Sequence, residues 1–289
     1  NLGYGGLGDS MDFFYDGGEN VRPNEQKVIE NIQEVKNIIT NFSSSDFILL
    51  QEVDKKSKRS YFLNQFDTIA SLFPGRSTFY GLNYDVFFVP TPPAEPMGKV
   101  DGGLMTISKF TPVNSIRYSF PGNYEWPVKL FMLDRCFLVN RYNLSNEKEL
   151  LIINTHNSAY DDGTLKEQQM EYLKEFLINE YKKGNYIIVG GDWNQCPPNF
   201  KPEFKEDVMD NEVRTDISND YLPEWTWLYD NTLPTNRRVT ASYNKGETLT
   251  TVIDFYLLSP NIEAVSVNNV DIGFGPSDHQ PVEATVKLK

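Results

Sequence analysis

Apolar residues recur along the chain at two different spacings, which predict its helices and strands. Over residues 24–42 the apolar positions lie three or four apart, the spacing of an amphipathic helix. A second helix is predicted over about residues 60–72, and a third over residues 164–182, where Thr164 and Glu167 form a capping-box pattern. Short apolar runs predict strands at residues 46–50, 78–89, 103–108, 130–142, 150–155, 186–189, 252–258 and 282–288.

The order of these elements predicts one α/β domain. Helices alternate with strands in the first half, whereas strands dominate the second half, which favours a mixed-sheet sandwich. Residues 89–103 are rich in Pro and Gly and predict a loop. The chain shows no internal repeat and no low-complexity tract, so residues 1–289 are interpreted as a single domain.

Charge and composition restrict the function classes only in part. Lys and Arg number 27 against 40 Asp and Glu, a net charge of −13. Such a surface repels polyanions at long range, although a local basic groove or a metal can reverse the field at a site. No apolar run is long enough to span a membrane. The pairing of Cys136 and Cys196 is left open, and so is a secreted or cytoplasmic location.

The two histidines of the chain occupy similar places in the pattern. His156 directly follows the apolar run LLIINT, and His279 lies within GPSDHQPV just ahead of the last predicted strand. A single histidine is more often structural than catalytic. Both histidines lie beside polar residues at strand ends. This placement favours a catalytic role, because imidazole is the natural general acid near neutral pH.

Three carboxylates also sit at strand ends or within a strand. Glu52 ends DFILLQE, Asp192 ends YIIVGGD, and Asp254 lies inside TVIDFYLL. Each has a structural alternative: an exposed strand end for Glu52, a Gly-Gly-Asp turn for Asp192, and an ion pair with an arginine for Asp254. The functional interpretation depends on the whole set, because strand ends of α/β sheets are where sites gather.

Six short motifs in this order resemble the endonuclease/exonuclease/phosphatase superfamily, which includes deoxyribonucleases, abasic-site endonucleases, sphingomyelinases and inositol-polyphosphate 5-phosphatases. Each motif is weak alone, but together they span the chain. The resemblance implies a four-layer α/β sandwich of two packed mixed sheets flanked by helices. The motifs are Asn1-Leu2-Gly3-Tyr4, Gln51-Glu52-Val53, Asn154-Thr155-His156, Gly191-Asp192-Trp193-Asn194, Ile253-Asp254-Phe255 and Ser277-Asp278-His279-Gln280-Pro281.

The resemblance also implies hydrolysis of a phosphate ester by direct attack of water, with Mg²⁺ as cofactor and Mn²⁺ as a possible substitute. Glu52 would be the main metal ligand, with Asn1 and Asp278 beside it. Asp192 would be the base that activates the water. Asn194 would donate to a phosphate oxygen or to the water, pointing the same way as Asp192 if the segment is extended.

The remaining roles fall to the histidines and to one arginine. His279 would stabilise the phosphoryl oxygens, held by Asp254. His156 resembles the histidine that protonates the leaving group in the deoxyribonuclease and sphingomyelinase branches. Arg135 is a candidate phosphate contact, although a sheet-edge arginine would explain it nearly as well. In the resembling proteins a short apolar strand precedes the position of Asn1, so we expect residues ahead of Asn1 in the natural protein.

The substrate is the least defined expectation. The net charge of −13 disfavours a nonspecific nuclease, so a small or lipid-derived phosphate ester is preferred, and the protein is expected to be a monomer. Arg237-Arg238 would form a basic rim or solvated surface charge. Loop aromatics such as Trp126 and Trp225 would stack on a substrate or pack the core. Two alternatives remain, a nuclease and a non-catalytic binding domain; the presence of all the catalytic residue types argues against the second.

Overall fold

The computed structural model describes residues 1–122, 133–159, 164–204 and 215–289. Within these ranges the chain forms three α-helices and thirteen strands, with short 3-10 turns near the N-terminus and before the second helix. The helices are α1 (Glu25–Asn41), α2 (Gln65–Ala70) and α3 (Thr164–Lys182). The strands are β1 (Phe47–Asp54), β2 (Ser77–Val89), β3 (Gly98–Ser108), β4 (Asn114–Ser119), β5 (Cys136–Asn143), β6 (Glu149–His156), β7 (Tyr186–Asp192), β8 (Thr226–Leu228), β9 (Asn236–Arg237), β10 (Thr250–Thr251), β11 (Asp254–Leu258), β12 (Ile262–Asn269) and β13 (Val282–Leu288).

These elements stack in four layers, as the resemblance implied. A six-stranded sheet has the order β4-β5-β6-β7-β11-β8, and only its β6–β7 pair is parallel. The connection between β6 and β7 is α3, whose Met170, Leu173 and Leu177 pack on the outer face of this sheet. A second sheet, β1-β3-β2, carries α1 and α2 on its own outer face. The prediction of a mixed-sheet α/β sandwich is confirmed.

The two sheets are tied together by a buried amide beside the site. Asn154 of β6 donates from Nδ2 to the carbonyl oxygens of Leu50 and Met105, both at 3.1 Å. Its Oδ1 accepts from Nε2 of Gln51 at 2.7 Å. One fully buried side chain therefore satisfies its polar groups across the sheet interface, where an unpaired amide would be costly.

The predicted helices and strands mostly have the correct type, but several of their bounds are wrong. The first and third predicted helices match α1 and α3, but the second is reduced to α2, because Tyr61 and Phe62 have positive φ and Asn64 caps the helix later. β3 begins at Gly98, inside the predicted loop. β4, β8, β9, β10 and β12 were not predicted. β12 exposes most of its residues and lacks a clear apolar face. Residues 130–132 of the predicted 130–142 strand lie outside the described ranges.

The fold corrects the expectation for Arg237 and decides two points that the sequence left open, the place of Trp225 and the pairing of the cysteines. Arg237 is buried and donates to the carbonyl oxygens of Gly8 and Ala241, so it forms neither a basic rim nor solvated surface charge. Trp225 packs in the core against α3, whereas Trp126 lies outside the described residues. Cys136 and Cys196 are free thiols and do not pair. No described helix has the length and hydropathy needed to cross a membrane.

Candidate active site

Four neighbouring strands of the six-stranded sheet place their end residues in one row. In the strand register Cys136 of β5 faces His156 of β6, His156 faces Asp192 of β7, and Asp192 faces Asp254 of β11. Since neighbouring strands lie about 4.8 Å apart, directly opposed side chains on one face come into contact. The regular sheet therefore assembles residues that lie more than 100 positions apart in the chain.

Asp192 lies at the centre of this row and is almost fully buried. Its Oδ2 accepts from Nδ2 of Asn1 at 2.9 Å and lies 3.4 Å from Nε2 of His156 and 3.7 Å from Nε2 of His279. Burial raises the pKa of Asp192, the negative charge of Asp254 adds to this rise, and His279 opposes it. A carboxylate with a raised pKa is a better proton acceptor.

A glycine makes the position of Asp192 possible. Gly191 has φ of 144°, and a Cβ at this position would collide with the carbonyl oxygen of Thr155 on β6. Only glycine therefore lets β7 run close to β6 just before Asp192. This is the physical reason for the Gly-Gly-Asp sequence, which the turn interpretation had explained differently.

His279 is surrounded by carboxylates. Its Nδ1 lies 2.8 Å from Oδ2 of Asp254, and its Nε2 lies 3.8 Å from Oδ2 of Asp278. Burial alone would lower the pKa of His279, but Asp254, Asp278 and Asp192 outweigh this effect and raise it to about 9. The ring is therefore an imidazolium at neutral pH, oriented by Asp254 and carrying a proton on Nε2.

The opposite side of Asp192 carries buried side-chain nitrogen atoms that lack hydrogen-bond partners in the described part of the chain. Burial lowers the pKa of His156 well below its usual value, and the nearby Arg135 lowers it further. The Nδ1 atom of His156 and the Nε and Nη1 atoms of Arg135 are buried without a hydrogen-bond partner among the described residues. Unpartnered buried donors are costly, so donors aimed at an anion are the simplest explanation of this arrangement.

Glu52 lies on a β-bulge of β1. The register of β1 against β3 shifts between Leu50 and Val53, and Glu52 has a positive φ of 54°. A bulge re-aims a side chain, and a non-glycine residue in this strained region is common at functional sites. Nη1 of Arg59 lies 3.6 Å from Oε2 of Glu52, and the same guanidinium bonds both carboxylate oxygens of Asp54.

The residues predicted to bind a metal fit a cation chemically. Burial raises the pKa of Asp278 to about 7, and the nearby charge of Glu52 contributes to this rise, although His279 opposes it. Buried carboxylates that repel each other are stabilised by a shared cation, and oxygen donors suit Mg²⁺. Asn1 accepts from the backbone N–H of Gly3 through Oδ1, which retains a second lone pair.

A different set of possible ligands is closer in space. Among the described residues, one group of metal-ligating type brings its ligand atoms within 4.8 Å of one another, and it consists of Asp192, Asp254 and His279. In this group Oδ2 of Asp254 lies 2.8 Å from Nδ1 of His279, so Asp254 and His279 satisfy each other by a direct hydrogen bond. We therefore interpret this group as a proton and phosphate network rather than as the metal site.

Asn194 has a different backbone from the one assumed in the sequence. The segment is not extended, because Asn194 has a positive φ of 50°. Its backbone N–H donates to Oδ1 of Asp192 at 2.9 Å, and its Nδ2 donates to the carbonyl oxygen of Asn157 at 2.9 Å. Asn194 lies beside Asp192 all the same. In this structure its side-chain amide already has a protein partner.

Two further residues around the site had no signal in the sequence. The side-chain amide of Asn236 lies 3.1 Å from Nε2 of His279, and Thr235 accepts from the backbone N–H of Asp254 at 3.1 Å. Both residues belong to the PTNRR segment, where the arginines were the expected feature. Backbone hydrogen bonds from Gln280 to Thr235 and from Arg237 to Asp278 hold this segment beside His279, a tertiary contact that the sequence does not indicate.

Comparisons with known proteins agree with this fold. The family model described as "Endonuclease/Exonuclease/phosphatase family" matches residues 17–279. The chain therefore belongs to the endonuclease/exonuclease/phosphatase family, whose members are hydrolases acting on phosphate esters. No curated protein sequence matches the chain.

Solved structures of low sequence identity share the fold. An endonuclease/exonuclease/phosphatase from Beutenbergia cavernae is 16% identical with a TM-score of 0.62; the comparison covers 89% of this chain and 66% of that one. A mannosyl-6-phosphatase from Bacteroides thetaiotaomicron is 13% identical with a TM-score of 0.57, covering 92% and 96%. D. rerio TDP2 complexed with a single-strand DNA product is also 13% identical with a TM-score of 0.57, covering 90% and 92%.

Proposed function

We propose that the protein is a Mg²⁺-dependent phosphodiesterase that hydrolyses its substrate by direct attack of water. The observation that carries this proposal is the buried carboxylate of Asp192, which lies between two imidazoles, 3.4 Å from His156 and 3.7 Å from His279. One carboxylate flanked by two nitrogen donors places a base beside two groups that can bind or protonate phosphate oxygens.

Each side chain has a distinct task in this mechanism. Asp192 orients the attacking water and accepts its proton, since its raised pKa strengthens it as a base. The His279 imidazolium donates from Nε2 to a non-bridging phosphate oxygen, and Asp254 keeps the ring in place. Arg135 donates from Nε and Nη1 to the same phosphate, which would give these buried donors the partners that they lack.

His156 protonates the leaving group in the proposed reaction. It is neutral without substrate, because burial and Arg135 lower its pKa. A phosphate anion bound beside it would raise this pKa, and the negative charge that develops on the leaving oxygen would raise it further. Substrate binding therefore raises the proton affinity of His156, which is low before the substrate binds.

Glu52 would hold the metal ion, with Asn1 and Asp278 beside it. A bound divalent ion would polarise a phosphoryl oxygen and offset the charge that develops there. The raised pKa of Asp278, caused by burial and by Glu52, supports a cation at this place. Mn²⁺ should substitute for Mg²⁺, because it also accepts oxygen ligands in octahedral geometry.

The substrate is proposed to be a small or lipid-derived phosphate ester rather than a nucleic acid. The net charge of −13 works against a long polyanion. Phe87 is 90% exposed near the far end of the β2–β3 hairpin, and Phe88 is 41% exposed. Both residues follow Tyr84 on β2. The guanidinium of Arg59 lies 5.9 Å from the Tyr84 ring centroid, and its Nη1 lies 3.6 Å from Glu52. An apolar group of a substrate would find a contact there.

The test is hydrolysis of bis-(p-nitrophenyl) phosphate by the purified protein. Activity should require Mg²⁺ or Mn²⁺, stop with a chelator, and fall on the order of 10³-fold in Asp192→Asn, which removes the base. Glu149→Gln is the matched control, because this carboxylate pairs with Arg141 at the far end of the sheet. Full activity in Asp192→Asn, or in the presence of chelator, would contradict the proposal.

A substrate panel then separates the alternatives within the family. Sphingomyelin, inositol phosphates, RNA and plasmid DNA are compared at physiological salt with the same metal. We expect turnover of a lipid-derived or small ester and little nicking of DNA. Rapid plasmid nicking would favour the nuclease instead.

A further inference from the structure

A β-bulge on β2 places a polar side chain between the two sheets. The register of β2 against β3 shifts between Leu82 and Tyr84, so Asn83 is the extra residue of the bulge. A bulge re-aims a side chain, and bulges are frequent beside active sites. Asn83 is 4% exposed, and its side chain extends from the β1-β3-β2 sheet to the start of β5 in the six-stranded sheet.

Asn83 binds the backbone on both sides of Arg135. Its carbonyl oxygen accepts from the backbone N–H of Asp134 at 3.0 Å, and its side-chain Oδ1 accepts from the backbone N–H of Cys136 at 3.1 Å. One asparagine therefore spans the residue that carries the guanidinium. The second bond depends on the residue type, because an apolar side chain at this position would offer no acceptor.

The six-stranded sheet holds the same stretch of backbone from its other side. The carbonyl oxygen of Arg135 accepts from the backbone N–H of Phe120 at 2.9 Å, and Nη2 of Arg117 donates to the carbonyl oxygen of Asp134 at 2.8 Å. The backbone at Arg135 is thus fixed by both sheets, whereas its Nε and Nη1 have no partner within the ranges that the structure describes. A fixed backbone beneath unbonded donors is the arrangement expected of a preorganised contact to an anion.

We infer that Asn83 is a positioning residue for the guanidinium of Arg135. Cys136, whose N–H it binds, faces His156 in the strand register, and His156 faces Asp192. A shift of the backbone before Cys136 therefore moves the guanidinium relative to the row of site residues. This role rests on the proposed phosphate contact of Arg135, and it adds a residue of the opposite sheet to the groups that place the phosphate.

A double-mutant cycle separates this role from a general tie between the sheets. Asn83→Leu keeps the size of the side chain and removes the acceptor. We expect kcat/KM for bis-(p-nitrophenyl) phosphate to fall about tenfold, the equivalent of one hydrogen bond. In the Arg135→Met background the same substitution should cost less than about twofold, because the group that Asn83 positions is already absent. A second loss of about tenfold in that background would overturn the positioning role.

The order of the Arg135 side chain is a readout that needs no turnover. Relaxation of the ¹⁵N nucleus of its Nε–H, assigned with Arg135→Met, should give an order parameter of about 0.85 in the unchanged protein and below about 0.6 in Asn83→Leu. Asn83→Asp keeps an acceptor oxygen in the same place, so the side chain of Arg135 should stay ordered. Equal order in Asn83→Leu and the unchanged protein would overturn the positioning role, whatever the activities are.

Asn140→Leu is the matched control, because Asn140 is a buried asparagine further along β5 that donates to Oγ of Ser115. It should lower Tm without changing kcat/KM or the order of Arg135, and an equal loss of both would overturn the role of Asn83. Asn83→Ser replaces the leucine variant if that variant does not fold, since its shorter side chain leaves room for a water on the Cys136 N–H. Full activity in Arg135→Met with lost order in Asn83→Leu would contradict the phosphate contact but support the positioning.

Discussion

An imidazole lies on each side of Asp192, and the pKa values of the two rings are shifted in opposite directions. On one side His279 lies among Asp254, Asp278 and Asp192, and its pKa is raised to about 9 despite burial, which alone would lower it. On the other side His156 lies 3.4 Å from the same Asp192, but burial drives its pKa well below the ordinary value, and the positive charges of Arg135 and His279 lower it further. Both rings are at least 95% buried, so burial does not distinguish them.

The difference shows that the charge of a buried imidazole is decided by its neighbours. Three carboxylates supply enough favourable interaction to retain a proton on His279, whereas a guanidinium adds to the desolvation cost at His156. A site that must bind a phosphate and also deliver a proton benefits from this division. In the proposed mechanism the charged ring binds the phosphate, and the neutral ring becomes an acid only after the anion has bound.

The largest loss of activity is expected when the charged imidazole of His279 is removed. His279→Ala should lower kcat for bis-(p-nitrophenyl) phosphate on the order of 10³-fold, because a preorganised donor to the phosphoryl oxygens disappears. The measurement is initial rate at saturating substrate and metal. A fall of less than tenfold would show that His279 does not act on the transition state.

His156→Ala should have a smaller effect that depends on the leaving group. With diphenyl phosphate, whose leaving group is poor, we expect a loss on the order of 10²-fold, whereas with bis-(p-nitrophenyl) phosphate the loss should be much smaller, since p-nitrophenolate leaves without protonation. The ratio of the two losses is the result to measure. Equal losses for both esters would assign His156 to binding instead.

Because Nε and Nη1 of Arg135 have no hydrogen-bond partner among the residues whose structure is described, replacing Arg135 should change activity without a loss of stability. Arg135→Met should lower kcat/KM by about 10- to 100-fold, the value of a charge-assisted hydrogen bond, and leave Tm unchanged or higher. Arg141→Met is the opposite control, because Arg141 is paired with Glu149 and Glu180. It should lower Tm and leave activity unchanged. A clear drop in Tm for Arg135→Met would mean that Arg135 has a structural role.

The most direct test of the difference between His279 and His156 is a titration of the two imidazole rings. Because the chain has two histidines, NMR of the metal-free protein shows two imidazole signals, assigned with His279→Gln. We expect His279 to titrate near pH 9 and His156 to stay neutral from pH 6 to 9. Since the folded pKa of His279 exceeds the unfolded value, its stabilisation is fully present below about pH 6.5 and is lost as pH rises through 9. If both imidazoles titrated near pH 6.5, the two histidines would not differ in pKa.

The site residues at the ends of regular strands were predictable from the sequence. His156, Asp192 and Asp254 all border apolar runs, and regular sheet register alone brings them into one row. The fold class followed in the same way from the alternation of strands and helices. The same strand-end pattern singled out Glu52 on the other sheet, and the resemblance of the short motifs added Asn1 and Asp278.

The remaining features depend on irregular backbone, which has no periodic signal. The bulge that aims Glu52, the positive φ of Asn194 and the approach of Asn236 to His279 arise from tertiary contacts rather than from local preference. Arg237 illustrates the same limit. Its charge favoured a surface position, but backbone carbonyl oxygens brought together from distant segments satisfy it inside the protein.

The amide of Asn154 has a mechanical consequence. Because it bonds Leu50, Met105 and Gln51 of the opposing sheet, the two sheets cannot shear past each other at this level without breaking three buried hydrogen bonds at once. Glu52 follows Gln51 directly, and His156 follows Asn154 by two residues. The three bonds thus join the two sheets directly beside Glu52, the proposed metal ligand, and His156, the proposed acid.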